Sequence, residues 1–169
     1  MKKLLLSALL LVALLFAACS ARQPQMREET GQLAFTAEGA SLGVVDYQQL
    51  VALDSYLRQV EIHSAGEGYS VHQYRGARLR DVIALLDASL LEQYAAVTAI
   101  GADDYLAAIG VDEVLMENNA FVMWEDNGEP ILTKDGEPYG MRLVLLDDSY
   151  AMRYTKYLIE IQFLTAEQL

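Results

Sequence analysis

The only two histidines of the chain, His63 and His72, lie close together in the sequence, and Glu61 precedes the first of them. Imidazole nitrogens and carboxylate oxygens are both ligands of zinc. These three side chains could hold a divalent metal such as zinc if the backbone brought them to one face. The alternative, two solvated histidines on an outward face, is favoured because the set lacks a second carboxylate.

The element that positions these side chains is a predicted β-hairpin. Apolar and polar residues alternate over residues 60–74, on both sides of a two-glycine turn, and this pattern is typical of two antiparallel strands. A register that pairs Ile62 with Val71 places both histidines and the glutamate on the same side. The hairpin register therefore decides whether the three side chains meet.

Other residues with reactive side chains give weaker signals. Three serines, Ser20, Ser64 and Ser70, have no Gly-x-Ser-x-Gly setting, so the sequence does not indicate nucleophilic hydrolysis. Adjacent carboxylates occur beside turn signals without EF-hand spacing, which indicates a solvated acidic surface rather than a calcium or acid–base site. These pairs are Asp103-Asp104, Asp112-Glu113, Glu125-Asp126 and Asp147-Asp148.

The only cysteine, Cys19, follows an apolar N-terminal segment. Two lysines and the apolar run that follows them predict a secretory signal over residues 1–18, and the run is shorter than the ~20 residues that span a bilayer. The sequence Phe-Ala-Ala-Cys at positions 16–19 resembles a bacterial lipobox, which implies that Cys19 carries a diacylglycerol group. An ordinary secretory signal with a free thiol is the alternative.

Residues 19–30 are polar and lack a hydrophobic period, so we expect a flexible tether between the lipid and a single domain over residues 31–169. The sequence therefore predicts a lipid-anchored, extracytoplasmic protein of the cell envelope.

Composition narrows the class of protein further. The formal net charge is -12 for the whole chain, and it becomes -14 when Lys2 and Lys3 are removed with the signal (-12 - 2). A surface this acidic repels phosphate backbones and argues against a nucleic-acid partner. With one cysteine the chain has no intramolecular disulfide, and the domain depends on its core.

The sequence pattern of residues 31–169 predicts an α+β domain with a mostly antiparallel sheet and two main helices. One helix follows Asp46 as its N-cap, and the other carries Leu79, Val82, Ile83 and Leu86 on one face. A helical turn is expected at 110–115. Strands are expected at 33–35, 97–100, 105–109, 120–124, 142–146 and 157–163, besides the hairpin, with turns at 127–128 and 134–138.

Four segments in order carry a family resemblance. They are Tyr-Arg-Gly-Ala-Arg-Leu-Arg-Asp-Val-Ile at 74–83, the Asp-Tyr segment at 104–115, Asn-Gly-Glu-Pro at 127–130 with residues 136–144, and Lys-Tyr-Leu-Ile-Glu-Ile at 156–161. Together they resemble the oxidoreductase molybdopterin-binding domain family, which has the sulfite-oxidase-like fold. The resemblance implies that fold and makes molybdopterin the candidate cofactor.

The same resemblance implies a lost metal ligand. Catalytic members carry a cysteine in a Cys-Ala-Gly element that ligates molybdenum, and the matching stretch here is Ser64-Ala65-Gly66. A serine hydroxyl is hard and normally protonated, so the soft thiolate ligand is missing. Cys19 does not replace it, because it lies on the tether.

Two basic residues before the last predicted strand are further candidate cofactor contacts. Arg153-Tyr-Thr-Lys156 resembles the family's approach to that strand, and Arg153 and Lys156 would hold the pterin phosphate. The alternative, surface charges beside an exposed strand, is favoured because such residues are common there. Ser64 is the third candidate contact.

These observations predict a non-catalytic binding or accessory module anchored in the cell envelope, with a small-molecule ligand or an envelope protein as its partner. One alternative is a redox enzyme that still binds molybdopterin. Another is a protein-interaction module that uses its acidic surface and binds no small ligand.

Overall fold

The computed structural model describes residues 31–64, 68–148 and 150–169. Cys19, the predicted signal over 1–18 and the predicted tether over 19–30 lie outside these residues. Within the described part, ten strands and four short α-helices confirm the predicted α+β class. None of these helices is both long and apolar enough to cross a membrane.

The elements follow one another in this order. The strands are β1 (Gln32–Ala37), β2 (Ala40–Asp46), β3 (Tyr56–Ser64), β4 (Gly68–Arg78), β5 (Ala96–Gly101), β6 (Leu106–Gly110), β7 (Ala120–Asp126), β8 (Glu129–Pro130), β9 (Arg142–Leu145) and β10 (Leu158–Leu164). The helices are α1 (Tyr47–Val51), α2 (Leu79–Ala84), α3 (Leu90–Gln93) and α4 (Val111–Leu115), and a 3₁₀ turn (Ala166–Gln168) follows β10.

The strands form two five-stranded sheets. The first has the order β2-β1-β10-β5-β6 and is mixed, because β1 runs parallel to β10 while its other pairs are antiparallel. The second has the order β3-β4-β7-β8, with β9 also paired to β7, and is antiparallel throughout. A parallel pair needs a crossover connection, and here the whole domain between its first and last strands supplies it.

Apolar residues of both sheets share one main core. Strand β7 is buried from Ala120 to Trp124, which explains its unbroken run of apolar residues. A second, smaller cluster lies under the β3–β4 hairpin. Its buried members are Val60, Tyr74, Phe121, Met123 and Val144.

Local sequence signals account for the helix positions. Asp46 caps α1, since its carboxylate accepts a hydrogen bond from the Gln49 N–H at 2.9 Å and the Gln49 side chain accepts one from the Asp46 N–H at 3.0 Å. The predicted helical face of α2 is confirmed for Leu79, Val82 and Ile83, which are buried, whereas Leu86 lies beyond the end of the helix at Ala84.

The hairpin is confirmed, but its predicted register is wrong. Ile62 pairs with Ser70 rather than with Val71, so that His63 lies opposite Tyr69 and His72 lies opposite Val60. The reason is the turn, because the last pair of the hairpin joins residues 64 and 68 and leaves an odd number of residues between them. A slip of one residue moves a side chain to the other face. The two histidines therefore belong to opposite faces of the hairpin.

Candidate functional site

Arg142 and Lys156 come together although they lie on different segments. Arg142 begins β9, and the next residue, Leu143, exchanges two backbone hydrogen bonds with Thr155, at 3.0 and 3.2 Å. In an antiparallel contact of this kind, residue 142 lies opposite residue 156. The apolar strand and its bridge thus bring two cationic side chains to one place.

Two cavities meet at these cations. One has a volume of about 850 Å³ and the other about 520 Å³, and Arg142 and Lys156 belong to the walls of both. Ser70 and His72 line the larger cavity, and Asp126 lines the smaller one. We call the two cavities together the groove. The volume of each cavity lies within the range typical of a site for a small organic ligand.

Arg142 is held by an aromatic residue rather than by a carboxylate. Its Nη1 donates a hydrogen bond to the Tyr74 hydroxyl, and its guanidinium carbon lies 5.4 Å from the centre of the Tyr74 ring. Its Nε is buried without a hydrogen-bond partner among the described residues. Other arginines contact carboxylates, namely Arg75, Arg78, Arg80 and Arg153. Within the described chain, the charge of Arg142 meets no carboxylate.

Arg153, predicted as a phosphate contact, is engaged elsewhere. Its guanidinium donates to Glu113 at 2.8 and 2.9 Å and also to Asp148. The hydrogen bond from Arg153 holds the pKa of Glu113 below its ordinary value, and the two carboxylates raise the pKa of Arg153. Arg153 lines neither cavity of the groove, whereas Lys156 lines both.

His72 lies between two oxygen-bearing side chains. Its Nδ1 is 2.8 Å from Oδ2 and 3.0 Å from Oδ1 of Asp126, and its Nε2 is 2.9 Å from Oγ of Ser70. Its ring stacks on that of Tyr74, with centroids 5.2 Å apart and planes inclined by 1°. Contacts on both edges and on one face thus fix the orientation of the imidazole.

His63, the other metal candidate, packs against aromatic rings. Its ring centroid lies 5.0 Å from that of Tyr69 and 6.4 Å from that of Tyr150. Both histidines border the larger cavity, but His63 does not share the carboxylate of His72. Across the described ranges, no group of three or more His, Cys, Asp or Glu side chains is placed to hold a metal ion.

Ser64, the predicted replacement for a metal-ligating cysteine, is the last residue of β3 and pairs with Gly68. Ala65 and Gly66 of the same predicted element lie outside the described residues. The pairing places the backbone of Ser64 beside a residue that lines the larger cavity.

Sequence reasoning missed Arg142 and the grouping around His72. A signal for Arg142 was present, because it is the only charged residue in the otherwise apolar run 141–146, and a charge in such a run is unusual. No comparable signal linked His72 with Asp126. They lie on different strands, and only the pairing of β4 with β7 brings them together.

A family model, described as the oxidoreductase molybdopterin binding domain, matches residues 21–169 of the chain. The chain belongs to this family. The four segments that resembled the family therefore indicated it correctly. No curated protein sequence is significantly similar to the chain.

The fold of this family member is also seen in a solved enzyme. The sulfane dehydrogenase SoxCD from Paracoccus pantotrophus is similar, with a TM-score of 0.63 and 14% identity, over 79% of this chain and 38% of that chain. This likeness confirms the predicted sulfite-oxidase-like fold and shows the fold alone. The chain spans little more than a third of the length of that relative.

The residues of the groove fit one part of a molybdopterin cofactor and not another. The uncompensated Arg142 and the neighbouring Lys156 suit a phosphate group, and Lys134 adds a third cation to the smaller cavity. The ligand that a molybdenum ion takes from this family is a thiolate, and residues 31–169 contain no cysteine. The groove therefore suits the anionic organic part of such a cofactor and lacks the soft donor for its metal.

Proposed function

We propose that this chain is a lipid-anchored protein of the cell envelope whose domain binds a phosphate-bearing ligand in the groove and does not catalyse oxygen-atom transfer. The phosphorylated pterin of the family's cofactor is the first candidate ligand. The observation that carries the proposal is Arg142, a cation in the wall of the groove without a carboxylate partner among the described residues.

Physical chemistry supports an anionic ligand there. The Nε of Arg142 is buried without a hydrogen-bond partner among the described residues, and leaving such a donor unpaired costs free energy. A bound phosphate would offset that cost through charge-assisted hydrogen bonds.

The proposed absence of oxygen-atom transfer rests on the side chains that the domain could offer as ligands to molybdenum. The only cysteine is Cys19, which lies before the predicted domain in a sequence that resembles a lipobox. A serine in the position of the metal-ligating cysteine would not supply a thiolate. Ser64 is the residue that the resemblance puts there, so we infer that oxotransfer has been lost while ligand binding has been kept.

Titration with inorganic pyrophosphate, followed by calorimetry, tests the binding site. Arg142→Gln should weaken binding by about tenfold or more, since a hydrogen bond to a charged group contributes roughly 1.5–3 kcal/mol. Arg75→Gln is the matched control, because Arg75 is paired with Glu125 outside the groove. Equal affinity in the two variants, or no binding to the wild type, would overturn the assignment.

A further inference from the structure

Ser70, His72 and Asp126 form a hydrogen-bonded chain at the groove. His72 lies between the other two, 2.9 Å from the Ser70 hydroxyl and 2.8 Å from the nearer Asp126 oxygen. We propose that Ser70 is a nucleophile, with His72 as its general base, and that the site hydrolyses carboxylic esters bearing an anionic group.

The contacts follow the order of a catalytic triad, in which a nucleophile contacts a general base and a carboxylate orients that base. The base touches the hydroxyl through Nε2 and the carboxylate through Nδ1, so Asp126 selects the tautomer whose Nε2 is free to accept a proton. Ser70 and His72 are two residues apart on β4 and therefore project from the same face of the strand.

Neighbouring contacts hold this arrangement rigid. The Tyr74 ring stacks under His72. Asn127 donates its N–H to the Gln73 carbonyl at 2.9 Å and accepts the Gln73 N–H on its side chain at 3.0 Å. These two bonds fix the end of β7 against β4, next to Asp126. A base held in this way loses little freedom when a substrate binds.

The three side chains are accessible to a substrate. The side chains of His72 and Asp126 are 23% and 28% exposed, and Ser70 is partly buried in the wall of the larger cavity. That cavity also includes Arg142 and Lys156. The preference for an anionic ester rests on the proposed function, because it depends on these two cations. The assignment of Ser70 as the nucleophile does not depend on them.

The reaction consumes one ester and one water. The Ser70 Oγ forms a bond to the carbonyl carbon while its proton passes to Nε2 of His72. The bond from that carbon to the alcohol oxygen then breaks, and the alcohol leaves with the proton from His72. Water attacks the acyl-serine, and His72 takes its proton and returns it to Ser70 as the carboxylic acid leaves.

The candidate donor for the negative oxygen of the tetrahedral intermediate is Tyr154. It lines the larger cavity with Ser70, and burial raises the pKa of its hydroxyl to about 12. The hydroxyl therefore stays protonated at neutral pH and is able to hydrogen-bond an oxyanion.

The decisive experiment treats the full chain with a neutral fluorophosphonate and maps the modified peptides by mass spectrometry. We expect modification at Ser70, and we expect His72→Gln to slow it by about 100-fold, the loss typical of a removed general base. Asp126→Asn should slow it as well, because an asparagine amide does not hold the His72 tautomer whose Nε2 accepts the Ser70 proton. Ser55→Ala, at an exposed serine outside the groove, is the control.

Thermal unfolding of each variant shows that it is folded. A folded protein that is not modified at Ser70, or that reacts equally fast in His72→Gln, would overturn the nucleophile. A second arm compares the 4-nitrophenyl esters of succinate and butyrate, and Arg142→Gln should lower kcat/KM about tenfold for the anionic ester alone. Reaction at Ser70 without that difference would contradict the anion site and leave the nucleophile intact.

Discussion

At the scale of single residues, the groove depends on how charges are paired. Lys156 was predicted from the sequence as a phosphate contact, and the structure places it in the groove. Arg153 was predicted with it, but its partners Glu113 and Asp148 come from distant positions that spacing along the chain does not reveal. Arg142 was missed because a strand beginning at 142 was predicted as a core element.

Tyr74→Phe tests whether Tyr74 positions Arg142. The change removes the hydroxyl that accepts a hydrogen bond from Arg142 and keeps the ring that stacks on His72. Pyrophosphate affinity should fall about fivefold, which corresponds to the roughly 1 kcal/mol of one hydrogen bond. Fluorophosphonate labelling of Ser70 should not change. An unaltered pyrophosphate affinity would show that Tyr74 does not position the guanidinium.

Glu113→Gln tests the ion pair that holds the Arg153 side chain outside the groove. The pKa of Glu113 is lower in the folded protein than its ordinary value of 4.5, chiefly because Arg153 donates to its carboxylate. This pair therefore stabilises the fold above pH 4.5, and the contribution is lost as the pH falls through the folded pKa.

We expect Glu113→Gln to lower the free energy of unfolding by about 1 kcal/mol at pH 7, a value reduced for partial exposure of the pair. The difference from the wild type should disappear in acid below the folded pKa. Chemical denaturation at several pH values measures it, with the exposed Glu92→Gln as the control. A difference that persists unchanged in acid would contradict the ion-pair explanation.

At the scale of elements, strand and turn positions were predictable and pairing was not. Asn127 and Gly128 have positive φ angles of 53° and 86°, as their predicted turn requires. The β7–β8 turn could therefore be predicted from these two residues alone. The parallel pairing of β1 with β10 was not, because it joins the two ends of the described domain and leaves no local pattern. The hairpin register was predicted wrongly because apolar residues of the two strands were matched, whereas Tyr69 and Val71 are exposed and lie on the face opposite to Val60 and Ile62.

Gly76→Ala tests the close approach of β4 to β7. A Cβ at this position would lie 2.1 Å from the carbonyl oxygen of Val122 and 2.7 Å from the Cα of Met123, and both are backbone atoms. We expect a loss of about 3 kcal/mol, at the upper end for overpacking. Gly39→Ala is the control, because a Cβ there meets nothing within 4 Å and adds only the strain of a φ of +77°.

Denaturant unfolding of the two glycine variants gives the comparison directly. The strain at Gly39 should cost about 1–2 kcal/mol. A smaller loss at Gly76 than at Gly39 would mean that the two strands separate easily, contrary to the tight pairing described.

At the scale of the whole molecule, the fold does not determine the proposed role. The fold is shared with a sulfane dehydrogenase that is much longer than this chain, and the activity of that enzyme does not transfer with the fold. The proposed role rests instead on the position of the only cysteine and on the groove cations. Both support a binding role in the envelope.

Cys19→Ser tests the anchor. The change removes the thiol that would receive the lipid, so we expect the protein to move from the membrane fraction to the soluble extracytoplasmic fraction. Globomycin should block processing of the wild type, and Ser20→Ala serves as the neighbouring control. Membrane association that survives Cys19→Ser would contradict lipid anchoring.

The central claim is that the groove holds a phosphorylated ligand without an oxotransfer metal. The most direct measurement is the molybdenum content, together with pterin fluorescence after acid oxidation, of protein purified from its native membrane. We predict molybdenum far below one atom per chain, and a phosphorylated pterin that is retained in Arg75→Gln and lost in Arg142→Gln. Stoichiometric molybdenum in the wild type would contradict the claim.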